Sequence, residues 1–377
     1  MIKIAIDATR ARSGGAIAHI KGIINELVIN QFEIEEIHIW SYKKLLNQLP
    51  DRSWLIKHSS PLLEKSLPYQ LYFQAFNLEN LVKKIECDIL FTLDAASLCR
   101  FSPMVTLSQD LLSYEPGILS NLKFGFDKIR LTIILFLQNR TFRRSAGVIF
   151  LTEYAQKLIT ASTGKLTETT VIPHGVDPIF RYSNTRRTFP TLNNKIKCLY
   201  ISPNFEYKYQ INVAKAIFNL SKKGFNIEIS FIGEGSIVWK DLLINVIEHL
   251  DPEAVTLKYL GQIDNKLLPD YIAKSDIFIF ASGCEAFGIT LLEAMCTGIP
   301  IASSNLSSLP ETLKDGGIYF NPKSVFEIES AVESIVNDEL LRFNIASKAL
   351  TLSTNYSWEI CSYNTFNFIT KTLKKSM

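Results

Sequence analysis

Apolar and polar positions follow two rhythms along this chain. Short unbroken apolar runs read as buried strands, and the stretches between them carry the wider apolar spacing of helices. Ile2–Ala8 is the first such run. The turn Ser13-Gly14-Gly15 follows it, and then a helix over Ile17–Val28. Further strands are expected at Ile37–Trp40, Asp88–Leu93, Met104–Leu107, Gly147–Leu151 and Thr170–Ile172. Leu122–Ser145 is too long for a loop and is expected to be helical. Strands alternating with helices predict a parallel sheet built from βαβ units.

The rhythm lapses over Asp177–Asn194, where Pro178, Arg186, Arg187, Pro190, Asn193 and Asn194 predict a linker. It then restarts: strand Cys198–Ile201, helix Ile211–Lys222, strand Ile227–Ile232, helix Ser236–Leu250, strand Val255–Tyr259, helix Lys266–Ala273, strand Ile277–Ala281, helix Ile289–Cys296 and strand Pro300–Ser303. The expected organisation is an N-terminal Rossmann-like domain over 1–180 and a C-terminal one over 195–355. A last helix, 356–377, has apolar residues at Ile360, Phe366, Ile369 and Leu373 and can pack back on the N-terminal domain. Two doubly wound parallel sheets of this kind place a ligand site beyond the carboxyl ends of their strands, in a central cleft between the domains.

Composition narrows the function. Of 377 residues, 47% are hydrophobic and 20% charged, which excludes a disordered or fibrous chain. Forty basic against 37 acidic side chains leave a net charge of +3, too even for a dedicated nucleic-acid binder. The longest apolar run, Leu131–Leu137, falls far short of the roughly 20 residues of a spanning helix. The apolar start is interrupted by Asp7 and too short for a signal peptide. These features predict a cytoplasmic protein. Six cysteines without a Cys-x-x-Cys pair and five histidines without His-Glu-x-x-His give no zinc signature.

The segment with the most chemistry is Ser282–Pro300, SGCEAFGITLLEAMCTGIP. Glu285 falls in the loop after a buried strand, and Gly288 opens a helix. The amides of Phe287, Gly288, Ile289 and Thr290 are then the unpaired donors of a helix start, a site suited to phosphate. Glu293 lies roughly 7 Å further along the axis, where a carboxylate can accept both hydroxyls of a ribose. Glu285, on the other side, faces a sugar beyond the diphosphate.

This segment resembles the Glu-x7-Glu motif of glycosyltransferase family 4, retaining enzymes of GT-B architecture. The resemblance extends through FIGEG at 231–235, Tyr259-Leu260-Gly261 with LPDY at 268–271 and Asp276, PIASS at 300–304 with Leu309-Pro310-Glu311, IPHGVD at 172–177, and VIFLTEY at 148–154. It is specific over about 145–325 and looser before. It implies a nucleotide-sugar donor on the C-terminal domain and an acceptor on the N-terminal domain. It also implies transfer with retention, no metal, and no cofactor beyond the nucleotide sugar as co-substrate. It gives Glu285 the transferred sugar and Glu293 the ribose. It makes Lys208 the cation facing the diphosphate. It also sets the loop Arg10–Gly15, with Gly15 foremost, against the donor diphosphate. Two positions depart from the family pattern. Pro203 stands where an arginine is usual, with Asn204 as a substitute contact. Gln109 replaces the histidine of a His-Asp pair, leaving Asp110 as the candidate general base. His174 stands where the family often has asparagine, and is a further candidate cleft contact.

The resulting expectation is a cytoplasmic hexosyltransferase that adds mannose from GDP-mannose to a growing bacterial surface glycan such as the O-antigen of lipopolysaccharide. A sugar-nucleotide epimerase and a non-catalytic sugar-nucleotide binder are the alternatives. Over 123–144, Lys123, Lys128, Arg130, Arg140, Arg143 and Arg144 stand against Asp127 alone. Two readings stay open there. One is a peripheral contact with the inner membrane face or a lipid-linked acceptor, and the other is a buried helix with basic ends.

Overall fold

Among the residues described by the computed structural model (1–12, 14–122, 124–181, 189 and 194–377), thirteen strands form two sheets. Every strand pairing in both is parallel. Ser13, Lys123, Arg186, Arg187, Pro190 and Asn193, named above, lie outside the described residues.

The first sheet contains β1 (Ile2–Asp7), β2 (Ile34–Trp40), β3 (Leu55–His58), β4 (Ile89–Thr92), β5 (Met104–Ser108), β6 (Gly147–Phe150) and β7 (Thr169–Val171), in the order β3-β2-β1-β4-β5-β6-β7. The second contains β8 (Ile196–Ile201), β9 (Ile227–Ile232), β10 (Leu257–Gly261), β11 (Ile277–Phe280), β12 (Ile301–Ser304) and β13 (Ile318–Phe320), ordered β10-β9-β8-β11-β12-β13. The inner strands β4, β5, β6, β11 and β12 are buried at every position, which is why their sequences are unbroken apolar runs.

Each sheet reverses its winding beside its first strand, between β1 and β4 in one and between β8 and β11 in the other. Loops that leave adjacent strand ends in opposite directions open a crevice there. In the first sheet that point is organised by Asp7, buried at the end of β1. Its carboxylate accepts hydrogen bonds from the Thr9 amide (3.1 Å) and hydroxyl (2.7 Å), Gln74 Nε2 (2.9 Å), and the hydroxyls of Thr92 (3.2 Å) and Ser97 (3.3 Å). Burial raises its pKa.

The chain divides into two units: Met1–Gly175 with Tyr356–Met377, and Val176–Asn355. The division falls earlier than the sequence suggested. Residues 176–180, read above as the end of the N-terminal domain, belong to the second unit, where Pro178–Phe180 forms a short 3-10 turn. The helix Trp358–Ser376 lies in the first unit against the helix Gly14–Asn25. Trp358 occupies the space that a side chain on Gly22 would need: a Cβ there would fall 2.1 Å from the indole. A Cβ on Gly175 would fall 2.2 Å from the Trp358 amide. Gly14 and Gly15 are not a separate turn; they begin the first helix, three residues before the expected start.

Candidate functional site

The second sheet's switch point brings together two loops, Ser202–Tyr209 after β8 and Ala281–Gly288 after β11. The first carries Lys208 in a single 3-10 turn, Glu206–Lys208. Its side chain is buried, 6% exposed, and Nζ donates to Glu285 Oε1 at 2.5 Å and to Ser282 Oγ at 3.2 Å. The Tyr207 ring lies 5.0 Å from the same ammonium. A lysine drawn this far into a fold needs such partners to offset lost hydration. A backbone bond binds the loops to each other, from the Gly283 amide to the Tyr207 carbonyl (2.7 Å), and within the first segment the Tyr200 hydroxyl of β8 donates to the Lys208 carbonyl (2.5 Å).

Glu285 is held by its backbone. Its amide donates to Ser307 Oγ (3.0 Å), and its carbonyl accepts from the hydroxyls of Ser307 (3.0 Å) and Ser308 (2.8 Å). The sequence reading missed these serines, since nothing marks them apart from the many others in the chain. Gly288 then adopts φ +86°, a left-handed conformation that glycine enters without a steric penalty. That turn starts the helix Ile289–Met295. The Leu292 amide already donates to the Gly288 carbonyl (3.1 Å), while the amides of Gly288, Ile289 and Thr290 donate to no group among the described residues. Phe287 is buried, with its carbonyl accepting from Thr312 Oγ1 (3.0 Å).

Glu293 lies one turn further along that helix, and its side chain makes no hydrogen bond or ion pair among the described residues. Burial, and secondarily the Asp177 carboxylate, push its pKa up from 4.5 to about 8. Asp177 caps the 3-10 turn by accepting from the Ile179 amide (3.0 Å). Asp177 falls in the IPHGVD segment, where nothing signals that it adds to the effect of burial on Glu293. Two residues of like charge, distant in sequence, leave no local signal.

Of three other candidates, Asn204 and His174 are buried among partners of the fold and Gln109 is half-buried. Asn204 is fully buried: Oδ1 accepts from the Tyr259 hydroxyl (3.2 Å), and its carbonyl accepts from the Ser236 amide (2.8 Å). It packs the loop after β8 onto the loop after β9 instead of replacing the arginine absent at 203. His174 is buried in the first unit, its Nδ1 3.0 Å from His19 Nδ1 and its ring 5.7 Å from that of Trp358. Burial lowers its pKa to about 3 and holds His19 down as well, so two neutral imidazoles share one proton between facing nitrogens. Gln109 keeps its Nε2 buried and unpartnered.

Asp110 is exposed, accepting from the Leu112 amide (2.9 Å) and from Gln138 Nε2 (3.4 Å), so it shapes a turn. Gly15 lies in the first turn of its helix, and a Cβ there would meet nothing within 4 Å. Nothing among the described residues requires glycine at that position. Among the described residues no group of three His, Cys, Asp or Glu side chains is placed to hold a metal ion, and no helix is long and apolar enough to cross a membrane.

Two Rossmann-like parallel sheets, of seven and six strands, are the GT-B fold. Sucrose-phosphate synthase from Thermosynechococcus elongatus has this fold with a TM-score of 0.78 at 14% identity, each chain covered in full. Anabaena HepE, solved in complex with UDP and glucose, matches with a TM-score of 0.74 at 18% identity over 98% of this chain and 100% of that one. Residues 183–351 match the family model described as glycosyl transferases group 1. The O-antigen chain mannosyltransferase B of Escherichia coli is 32% identical over 130 residues, 34% of each protein. The serotype-specific mannosyltransferase WbdA of E. coli is 34% identical over 100 residues, 26% of this chain and 12% of that one. The alignments thus span about a third or less of these curated relatives.

Proposed function

We propose that this protein is a retaining, metal-independent glycosyltransferase that moves mannose from GDP-mannose to a growing bacterial surface glycan of the O-antigen kind. The observation that carries the proposal is the cluster at the second switch point. There a buried lysine, a carboxylate and a helix start with unpaired amides converge, and a second carboxylate follows one turn later. The mannosyltransferases among the relatives support the sugar and the acceptor class, and they favour transfer over the epimerase alternative.

In this reading the donor diphosphate takes the place of Glu285 as the partner of Lys208 and receives the helix-start amides. Positive charge and oriented donors then stabilise the departing diphosphate, the task a divalent cation performs elsewhere. Glu285, released from Lys208, turns to the sugar and stabilises charge developing at the anomeric carbon. Glu293 accepts the ribose hydroxyls. The acceptor attacks from the face that the diphosphate leaves, so no protein nucleophile is needed. We assign Asp110 to take the acceptor proton and Gly15 to let backbone approach the donor phosphates.

A thermal-shift series with GDP-, UDP- and dTDP-sugars tests the donor. A ligand at 100 times its dissociation constant stabilises by about 2.7 kcal/mol, and GDP-mannose is expected to give the largest shift. Transfer to an isolated surface-glycan acceptor, read by NMR, is expected to yield an α-linked product and to persist in excess EDTA. An inverted linkage, or activity abolished by EDTA and restored by Mg²⁺, would refute the mechanism; a larger shift with a UDP-sugar would refute the donor.

A further inference from the structure

The helix Phe126–Arg144 has two apolar faces, and the fold covers one. Leu131, Gln138, Thr141 and Phe142 are buried beneath it. On the opposite side Phe126, Ile129, Ile133 and Phe136 follow one another at intervals of three and four, the spacing of one helix face. They are exposed by 80%, 47%, 53% and 67%, and Phe124, just before the helix, by 89%. Such an outward apolar stripe marks a contact that the described residues do not make with one another.

A second exposed stripe belongs to the same side of the sheet. The helical segment 67–84, whose middle is the π-helical turn Phe73–Leu78, leaves Tyr69, Tyr72 and Phe76 in solvent. It connects β3 to β4, and Phe126–Arg144 leads from β5 to β6. Both connections step in the same direction across the sheet, so right-handed crossovers place both helices on one face. Glu79 lies close enough to Arg144 to bear on its charge. Each segment starts at the carboxyl edge of the sheet, so the exposed aromatic residues of both stand toward that edge.

The charge around the stripe identifies its partner. Among Lys128, Arg130, Arg140, Arg143 and Arg144, only Arg130 has a carboxylate within 4 Å among the described residues, Asp127 at 3.6 Å. Lys128 donates to the Leu122 carbonyl, Arg143 to the carbonyls of Ser162 and Thr163, and Arg144 to that of Cys99, neutral acceptors that supply no counter-charge. Lys65 sits 4.8 Å over the Tyr69 ring on the neighbouring segment. A second copy docked about a twofold axis would bring these cations against themselves. An anionic lipid surface offers phosphate to the cations and an acyl boundary to the phenylalanines, with tyrosines at headgroup level.

We propose that this face, centred on Phe124, Phe126, Ile129, Ile133 and Phe136 and rimmed by Lys128, Arg130 and Arg140, docks the protein onto an anionic bilayer, with the helix lying in the interface. The inference rests on none of the donor assignments above. Co-sedimentation with phosphatidylethanolamine–phosphatidylglycerol vesicles, with pure phosphatidylcholine vesicles as the reference, tests it. The full chain is expected to sediment with the former and to be released by salt. F126S/F136S is expected to lower partitioning at least tenfold. Arg140→Glu removes one attraction and adds one repulsion, about fivefold each. All three side chains are exposed, so thermal unfolding is expected to match wild type. Binding that ignores phosphatidylglycerol, or that survives F126S/F136S with the fold intact, overturns the proposal. So does a chain that ignores vesicles and instead forms dimers, in light scattering, that the same variant dissociates.

Discussion

Glu293→Gln keeps the shape of the side chain and removes its ability to ionise. Burial and Asp177 raise the wild-type carboxyl from 4.5 to about 8. A carboxyl raised on folding favours the native state while protonated, so its contribution is complete below about pH 4.5 and lost as pH rises through about 8. Above that pH the wild-type charge opposes folding. Full conversion of the shift amounts to a few kcal/mol, but part of the side chain reaches solvent. The variant is therefore expected to gain ~1–2 kcal/mol near pH 9 and almost nothing near pH 4.5. Nucleotide binding is expected to move the other way. The ribose hydroxyls lose a charged acceptor worth about 1.5–3 kcal/mol, roughly a ten- to hundredfold weaker Kd for GDP. Because the ribose selects the ionised carboxylate, wild-type binding near neutral pH is expected to release a proton, visible in calorimetry as an enthalpy that depends on the buffer. The variant is expected to show no such dependence. Unchanged GDP affinity, or proton release that persists in the variant, refutes the assignment of Glu293 to the ribose.

Glu285→Gln is expected to lower kcat by about 10²–10³ while KM and GDP affinity hold, because its charge acts chiefly in the transition state; near-native turnover would remove Glu285 from the reaction. Lys208→Met is expected to weaken GDP binding at least tenfold, and a double-mutant cycle with Glu285→Gln, read by chemical unfolding, is expected to return a coupling of about 0.5–3 kcal/mol. Gly15→Ala adds a Cβ to open space in a helix, so thermal unfolding is expected to be unchanged or higher by up to ~1 kcal/mol. The same change is expected to weaken the donor at least tenfold, and full donor affinity would exclude phosphate from Gly15. Gly22→Ala forces a methyl into the Trp358 indole and is expected to cost about 2–4 kcal/mol in urea unfolding, with partial rescue by Trp358→Leu.

The inner strands were legible because burial on both faces demands unbroken apolar runs, as in IFIF of β11 and GVIF of β6. Two of the four edge strands were not. Leu55–His58 buries only its leucine, and Ile318–Phe320 only its phenylalanine, so neither carries the run that marks a strand. The helical segment 67–84 was missed because its exposed aromatics and buried Gln70 and Gln74 invert the usual helical pattern. At the site, the motif over Ser282–Pro300 placed Glu285, Gly288 and Glu293 correctly on loop, turn and helix. It could not place Lys208 against Glu285, a contact across 77 positions that depends on β8 lying beside β11. For His174 and Asn204, position after a strand suggested exposure, but the neighbours that bury them, Trp358 and Tyr259, come from remote segments.

The indole of Trp358 between Gly22 and Gly175 also sets an order of events during synthesis. The first unit is written in two pieces, and the segment 176–355 is translated between them. At about 5–20 residues per second, the ribosome needs roughly 10–40 s to pass from Gly175 to the end of the Trp358–Ser376 helix. Throughout that interval the nascent first unit lacks the side chain that covers His19, His174 and the Gly22 notch, and the Ile23 carbonyl lacks the Ser362 hydroxyl that donates to it at 2.7 Å. The second unit, contiguous in sequence, can complete its core while the first still waits. Nascent chains halted before Trp358 should therefore carry a protease-resistant second unit behind a protease-sensitive first one.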